Sequence, residues 1–517
     1  MHILMLAAEN AALSGGKVGG LGDVIRDLPQ ALGQAGHQVT VLMPAYGVFN
    51  HMPGASFLGS VPARFSGSVE QVQLLELASA GSAQSARVKT VVMDHPLFSV
   101  AGSGTIYTDD GEGPFATDAH RFALASSAAA EVVLSGLLTD VDVIHCHDWH
   151  TGAFLFLRCF DPYYSTLRQI PAVFTIHNLS LQGIRPFQGH WSALESWFPN
   201  IDYDPSWLAD RRYSDCINLM RCGINLADRV NTVSPTYARE ITHPSDWAQA
   251  VAGGDGLESD LQRLAQAGSL EGILNGCDYE VKAAKPLGPV KLWPLIEDQL
   301  DVLAAKSPVA ASHYFALKKI SELRRRSQQP TPLILSISRL SFQKMGLLTC
   351  AWGEETILDA MLAGLDQGLY LLLGSGDAYH DQFFSKKMRQ HENFLYLCGF
   401  SEELADRLYA SCDLFLMPSV FEPCGISQML AMRAGMPCLV HKTGGLNDTV
   451  RDGRNGFSFG GSSLEEKLQH LLLCWERALR LFTDKPQQWQ EIQQQAASTR
   501  LTWDSAVQQY LTRLYQA

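Results

Sequence analysis

Ser14-Gly-Gly-Lys-Val-Gly-Gly-Leu-Gly-Asp23 decides the fold. It follows a short apolar run, His2–Ala8, and opens an amphipathic stretch that starts at Asp23. Strand, glycine loop and helix in that order begin a parallel α/β sheet. The five glycines of the loop permit positive φ and close backbone approach to a ligand. N–H groups at a helix start suit an anion, and Lys17 adds a compact charge suited to phosphate. A Walker A loop needs Gly at position 11 and Ser or Thr at 18, where this chain has Ala11 and Val18. The dinucleotide pattern GxGxxG is not met either. The loop therefore reads as an unspecific phosphate cradle, or as a bland glycine turn with an exposed lysine.

Outward from this loop, short apolar runs alternate with amphipathic stretches. In the first half the runs are Gln38–Met43, Val88–Met93, Asp142–His145, Ala172–Ile176 and Arg229–Val233. In the second they are Leu333–Ser338, Leu369–Leu373, Leu395–Cys398, Asp413–Met417 and Pro437–His441. Such runs are the signature of parallel strands buried on both faces. A length of 517 residues exceeds a single core, so two domains are expected. The mixed segment Pro286–Pro330 joins them. The division is placed at 1–290, 291–492 and a terminal helix, 493–517, in which Trp503, Ala506, Tyr510 and Leu514 keep helical spacing.

Five further motifs fall at strand ends, where open α/β sheets bind ligands. In Val143-Ile-His-Cys-His-Asp-Trp-His150 the histidines suggest metal, but there is no clear fourth ligand. A carbohydrate-facing site, with Asp148 accepting hydroxyl hydrogen bonds and Trp149 offering a ring face, competes with a core histidine beside a capping Asp. Phe174-Thr-Ile-His-Asn-Leu-Ser-Leu-Gln-Gly183 delivers His177 and Asn178 to the same sheet edge. In Ser338-Arg-Leu-Ser-Phe-Gln-Lys344, Arg339 and Lys344 are fit to bracket a diphosphate leaving group, or form a solvated basic turn. In Pro418-Ser-Val-Phe-Glu-Pro-Cys-Gly-Ile-Ser-Gln428 a proline holds Glu422 extended, and Gly425 is expected to start a helix facing the ligand. Lys442-Thr-Gly-Gly-Leu446 supplies another backbone cradle.

Composition excludes several classes. With 46% hydrophobic and 18% charged residues the chain is an ordinary globular one. A net charge of -13 argues against nucleic acid or an anionic membrane as partner. The 11 cysteines are scattered, which fits a reducing compartment rather than a disulfide framework or zinc site. The N-terminus lacks signal-peptide features, and no apolar run is long enough to span a bilayer. A cytoplasmic protein is expected.

The ordered set of motifs, joined by Val233-Ser-Pro-Thr-Tyr-Ala-Arg-Glu240 and Leu274-Asn-Gly-Cys-Asp278, resembles bacterial glycogen synthases and plant starch synthases over nearly the whole chain. The resemblance implies the GT-B fold, an α/β architecture of two Rossmann-like domains with a deep interdomain cleft and a last helix returning to the first domain. It implies retaining transfer of glucose from ADP-glucose to the non-reducing end of an α-1,4-glucan such as glycogen or maltodextrin, with no metal and no prosthetic group. Carried onto this chain, Lys17 with Gly19 and Gly20 would contact the donor near its phosphates and ribose. Arg339 and Lys344 would hold the diphosphate. Glu422, Cys424 and Gly425 would hold the glucose, with Thr443 and Gly444 in the donor cradle. His177 would reach the glucose 6-hydroxyl, Asn275 lies nearby, and Asp148 and Asn178 face the acceptor. Tyr107, in Gly102-Ser-Gly-Thr-Ile-Tyr-Thr-Asp109, matches a position near the adenine.

The chain departs from the family around Lys17, after Lys344, where Met-Gly-Leu-Leu replaces Gly-Leu-Asp, and in the helix after Glu422. These departures bear on donor base and acceptor length rather than on reaction type. The alternatives are a related transferase using UDP-glucose or a small sugar acceptor, a non-catalytic glucan-binding regulator, and a pyridoxal-phosphate phosphorylase. No lysine environment matches the last, and an inactive relative would be free to lose the charged residues present here.

Overall fold

A computed structural model describes residues 1–78, 87–108, 117–280, 284–306 and 310–516. It divides the chain into two units. Unit 1 comprises Met1–Ser245, Gly253–Gly276 and Trp503–Ala517; unit 2 comprises Asp246–Ala252 and Cys277–Thr502. The division thus falls at Gly276/Cys277, not at 290/291, and the chain re-enters unit 1 at Trp503, not at 493. The helix Pro486–Ser498 belongs to unit 2 because Trp489, Ile492 and Ala496 bury themselves in its core. The short excursion Asp246–Ala252 is held there by Lys467, whose ammonium donates to the carbonyls of Gln249 and Ala250 at 2.7 and 2.9 Å.

Unit 1 is built on a nine-stranded sheet. In chain order the strands are β1 (His2–Leu6), β2 (Gln38–Pro44), β3 (Ser56–Phe65), β4 (Ser68–Leu77), β5 (Val88–Asp94), β6 (Val143–His147), β7 (Ala172–Ile176), β8 (Arg229–Thr232) and β9 (Leu270–Gly272). Their spatial order is β9-β8-β7-β6-β1-β2-β5-β4-β3. All neighbours are parallel except at β5-β4 and β4-β3. β6 and β7 are buried at every position, as both-face burial requires.

The hairpin β3–β4 was not among the expected strands. Its burial alternates, with Val61, Ala63 and Phe65 inward and Ser60, Pro62 and Arg64 outward, the pattern of a half-exposed antiparallel strand. Ser66 (φ 51°) and Gly67 (φ 74°) close it, as a two-residue primed turn demands. The helix α1 (Gly20–Gln34) buries Leu21, Val24, Ile25, Leu28 and Leu32, the stripe of an amphipathic helix.

Unit 2 holds a six-stranded all-parallel sheet, β10 (Leu333–Ile337), β11 (Leu369–Gly374), β12 (Phe394–Cys398), β13 (Leu414–Met417), β14 (Cys438–His441) and β15 (Gly456–Phe459). Their order is β12-β11-β10-β13-β14-β15. Chain order reverses between β1 and β6 in unit 1 and between β10 and β13 in unit 2. A crevice outside the carboxyl ends of the strands opens at such a reversal.

Candidate active site

In unit 1 the reversal brings together the loops after β1 and β6, and a residue missed in the sequence organises them. Glu9 is 3% exposed. One carboxylate oxygen accepts the N–H groups of Val18 and Gly19 at 2.7 and 2.6 Å, and the other accepts the Tyr107 hydroxyl at 2.7 Å. The anion expected at these loop N–H groups is therefore supplied, at two of them, by the chain itself. Gly19 is the N-cap of α1, with Gly20 as its first residue. Lys17 is half exposed and forms an ion pair of 2.7 Å with Asp23 on the first turn of α1. Tyr107 is stacked on His150, ring centroids 5.3 Å apart, and burial beside Glu9 raises its hydroxyl pKa. Asp109, the end of the tyrosine segment, lies outside the described residues.

Asp148, at the end of β6, adopts φ 55° and is buried. Its carboxylate accepts the backbone N–H of His177 at 2.7 Å, tying the end of β6 to the end of β7. Burial pushes its pKa up to about 7 against the pull of the His177 and Asn178 N–H groups. The structural reading of this aspartate is thus satisfied alongside any ligand role. Trp149 does not offer a ring face to a ligand. It is 4% exposed, and its ring lies so close that a side chain on Gly183 would come within 2.3 Å of it. The Asn178 carbonyl oxygen accepts from the Ser180 N–H and hydroxyl at 3.0 and 2.8 Å, shaping its own turn.

His177 is 8% exposed, and burial holds its pKa down to about 3. Its Nε2 is hydrogen-bonded to His147 Nδ1 at 2.9 Å. His147 lies against His145 with the rings tilted by 32° and their centroids 4.1 Å apart. These are uncharged rings bonded to one another and to neighbouring hydroxyls. Among the described residues no group of three His, Cys, Asp or Glu side chains is placed to hold a metal. Asn275, beyond β9, is 4% exposed, and its carbonyl oxygen has no partner among the described residues. A buried acceptor left in that state costs free energy that a ligand donor would restore.

In unit 2 the reversal joins the loops after β10, β13 and β14. The loop after β10 leads into the helix Phe342–Thr349, with Lys344 in its first turn. Lys344 forms an ion pair with Glu422, whose carboxylate also accepts the Ser419 hydroxyl at 3.2 Å. Glu422 is 5% exposed. Arg339 is exposed and forms no ion pair among the described residues. The first two loops are sewn together by the Val420 N–H donating to the Gln343 carbonyl at 2.8 Å.

The third loop is tied in through glycine. Gly445 N–H donates to the carbonyls of Glu422 and Pro423 at 3.1 and 3.2 Å. A Cβ on Gly444, which has φ 43°, would sit 1.9 Å from the Glu422 carbonyl oxygen. Thr443 is the N-cap of the following helix, Gly444–Thr449. Gly425 does not start a helix: it turns at φ 78°, and the helix runs Ser427–Arg433 with Ile426 as its cap. Cys424 is buried, and its carbonyl accepts from the Gln428 amide at 3.2 Å. His441, also missed, ends β14, and its Nδ1 is hydrogen-bonded to the Ser419 carbonyl at 2.8 Å.

Residues 2–263 match a family described as the starch synthase catalytic domain, and residues 332–474 one described as glycosyl transferases group 1. The chain is 34% identical to a glycogen synthase of Streptococcus gordonii and 33% identical to one of Streptococcus sanguinis, in each case over 100% of both chains. Among solved structures it is similar to the catalytic domain of starch synthase IV from Arabidopsis thaliana bound to ADP and acarbose. The TM-score is 0.76 at 29% identity, covering 99% of this chain and 98% of that one. A sucrose-phosphate synthase from Thermosynechococcus elongatus, at 16% identity and a TM-score of 0.56, shares the fold alone.

Proposed function

Because the chain belongs to the glycogen and starch synthase family, we propose that it transfers glucose from ADP-glucose to the non-reducing end of an α-1,4-glucan, with retention and release of ADP. That it is a glycosyltransferase of GT-B fold, as the sequence resemblance implies, follows from the same relationships. ADP as the nucleotide and an oligosaccharide as acceptor are supported by the ADP and acarbose held by the Arabidopsis relative. A cytoplasmic location is part of this proposal and fits eleven cysteines that form no disulfide.

The observation that carries the reading is the Lys344–Glu422 pair, its carboxylate buried, clamped by three loops at the switch point of unit 2. Lys344 and Arg339 would neutralise charge developing on the departing diphosphate. Glu422, fixed by Ser419 and Lys344, would hold sugar hydroxyls with Cys424 and Gly425, while Thr443 and Gly444 complete the donor cradle. In unit 1, Lys17 with Gly19 and Gly20 is assigned to phosphate and ribose, Tyr107 to the adenine side, and Asn275 and His177 to the glucosyl hydroxyls. Asp148 and Asn178 are assigned to the acceptor. A carboxylate already paired with lysine is a poor nucleophile, so retention is assigned to a front-face route. The bond from the anomeric carbon to the phosphate oxygen breaks, the acceptor oxygen bonds that carbon on the same face, and the phosphate takes the acceptor proton.

Radiolabelled ADP-glucose and UDP-glucose, each offered with glycogen and with maltose, test this. Incorporation into glycogen with ADP-glucose as the better donor is expected. No incorporation into glucan from either donor would sink the reading.

A further inference from the structure

A hydrogen-bonded column runs through the buried side of the unit 1 site. The Thr175 hydroxyl donates to the Asn231 carbonyl oxygen at 2.6 Å. A hydroxyl has one proton, so towards His145 Nε2, 2.6 Å away, Thr175 accepts, and the imidazole proton sits on Nε2. His145 Nδ1 must then accept from the Tyr515 hydroxyl at 2.7 Å. Burial holds the His145 pKa down to about 3, so the ring stays neutral with this one tautomer.

His147 lies against that fixed ring and is fully buried. Its Nδ1 bonds His177 Nε2, whereas its own Nε2 is buried with no partner among the described residues. A stranded N–H is rarer and costlier in a protein interior than an unused acceptor. The proton of His147 therefore belongs on Nδ1, which donates to His177 Nε2. A neutral imidazole carries one proton, so the proton of His177 is left on its Nδ1.

We propose that His147 is a positioning residue that fixes His177 as the Nδ1–H tautomer, so that His177 presents a hydrogen-bond donor, and not an acceptor, to an oxygen of the glucosyl group. This rests on the reading of His177 as a glucosyl ligand. The specificity consequence is that a hydroxyl or ether oxygen free to accept is recognised there, while a group able only to donate is not.

The tautomer is readable in the wild-type full-length protein from the ring-nitrogen NMR shifts of its histidines. The His177 signals are assigned by their loss in His177→Ala. Protonated Nδ1 and unprotonated Nε2 on His177 are expected; protonation on Nε2 would overturn the proposal. Two variants give the kinetic readout. His147→Leu, which cannot donate, should lower kcat about tenfold with donor KM within about threefold, as loss of one hydrogen bond in the transition state implies. His147→Asn keeps an N–H donor and should stay within about threefold of wild type. Wild-type turnover in His147→Leu, or an equal fall in both, would overturn the proposal. If His147→Leu fails to fold, the wild-type spectrum still decides. Wild-type turnover in His177→Ala would instead refute the reading of His177 as a ligand.

Discussion

Both units carry their polar groups at the same topological place, beyond the strand ends where chain order reverses, but they finish those groups differently. In unit 1 the polar groups are largely spent on one another. Glu9 holds the glycine loop and Tyr107, Asp148 holds the backbone of His177, and the histidines are neutral and bonded in a column. Unit 2 keeps, besides the pair Lys344–Glu422, an exposed Arg339 that forms no ion pair among the described residues. One is a wall whose charges are already answered by its own groups; the other holds a cation that is not. Fixed dipoles shape a ligand's orientation, and charges answer charge that develops in the transition state.

The contrast can be broken most sharply in unit 2. Glu422→Gln keeps the size of the side chain but abolishes the ion pair, and turnover should fall about a thousandfold with donor affinity within about tenfold. Wild-type turnover, measured as glucose transfer to glycogen, would remove Glu422 from the chemistry.

Glu9→Gln tests the wall of unit 1. Weakening charge-assisted bonds to Val18, Gly19 and Tyr107 should cost about 2 kcal/mol of unfolding free energy in urea and raise donor KM about tenfold. An unchanged midpoint would show that the glycine loop holds its own shape.

Lys17→Ala should separate binding from folding. Its pairing with Asp23 is half exposed, so stability should change by less than about 1 kcal/mol, whereas donor KM should rise about tenfold. A stability loss without a KM effect would make Lys17 part of the scaffold.

A last effect concerns pH. The Asp148 carboxyl, raised from 3.8 to about 7 in the fold, keeps its proton in the folded state over a range where the unfolded chain has lost it. Its contribution to stability is therefore full below pH 3.8 and is lost as pH rises to about 7. The slope is at most about 1.4 kcal/mol per pH unit. Asp148→Asn should gain stability relative to wild type across that window; a constant difference between the two proteins would refute the shift.

Much of this was legible in the sequence for physical reasons. Parallel strands buried on both faces leave unbroken apolar runs, so β6, β7, β10 and β13 could be read to within a residue or two. Glycine and proline punctuate the strand ends, which is why Lys17, His177, Lys344 and Glu422 stood out. The hairpin β3–β4 was lost because half its residues face water, although Ser66-Gly67 carried a turn signal. Glu9 was hidden as a lone acid in an otherwise apolar stretch; its signal was position, a carboxylate between a strand end and a glycine loop. Trp149 misled because aromatic chemistry alone cannot distinguish a sugar platform from core packing. The unit boundary was displaced because Trp489 and Ile492 pack into unit 2, a long-range preference that local pattern does not encode.

The bond between Tyr515 and His145 spans 370 residues. In chain order the tyrosine that closes the back of the histidine column is made only after unit 2, so the first ring of unit 1's column gains its last partner later than the sheet that carries it.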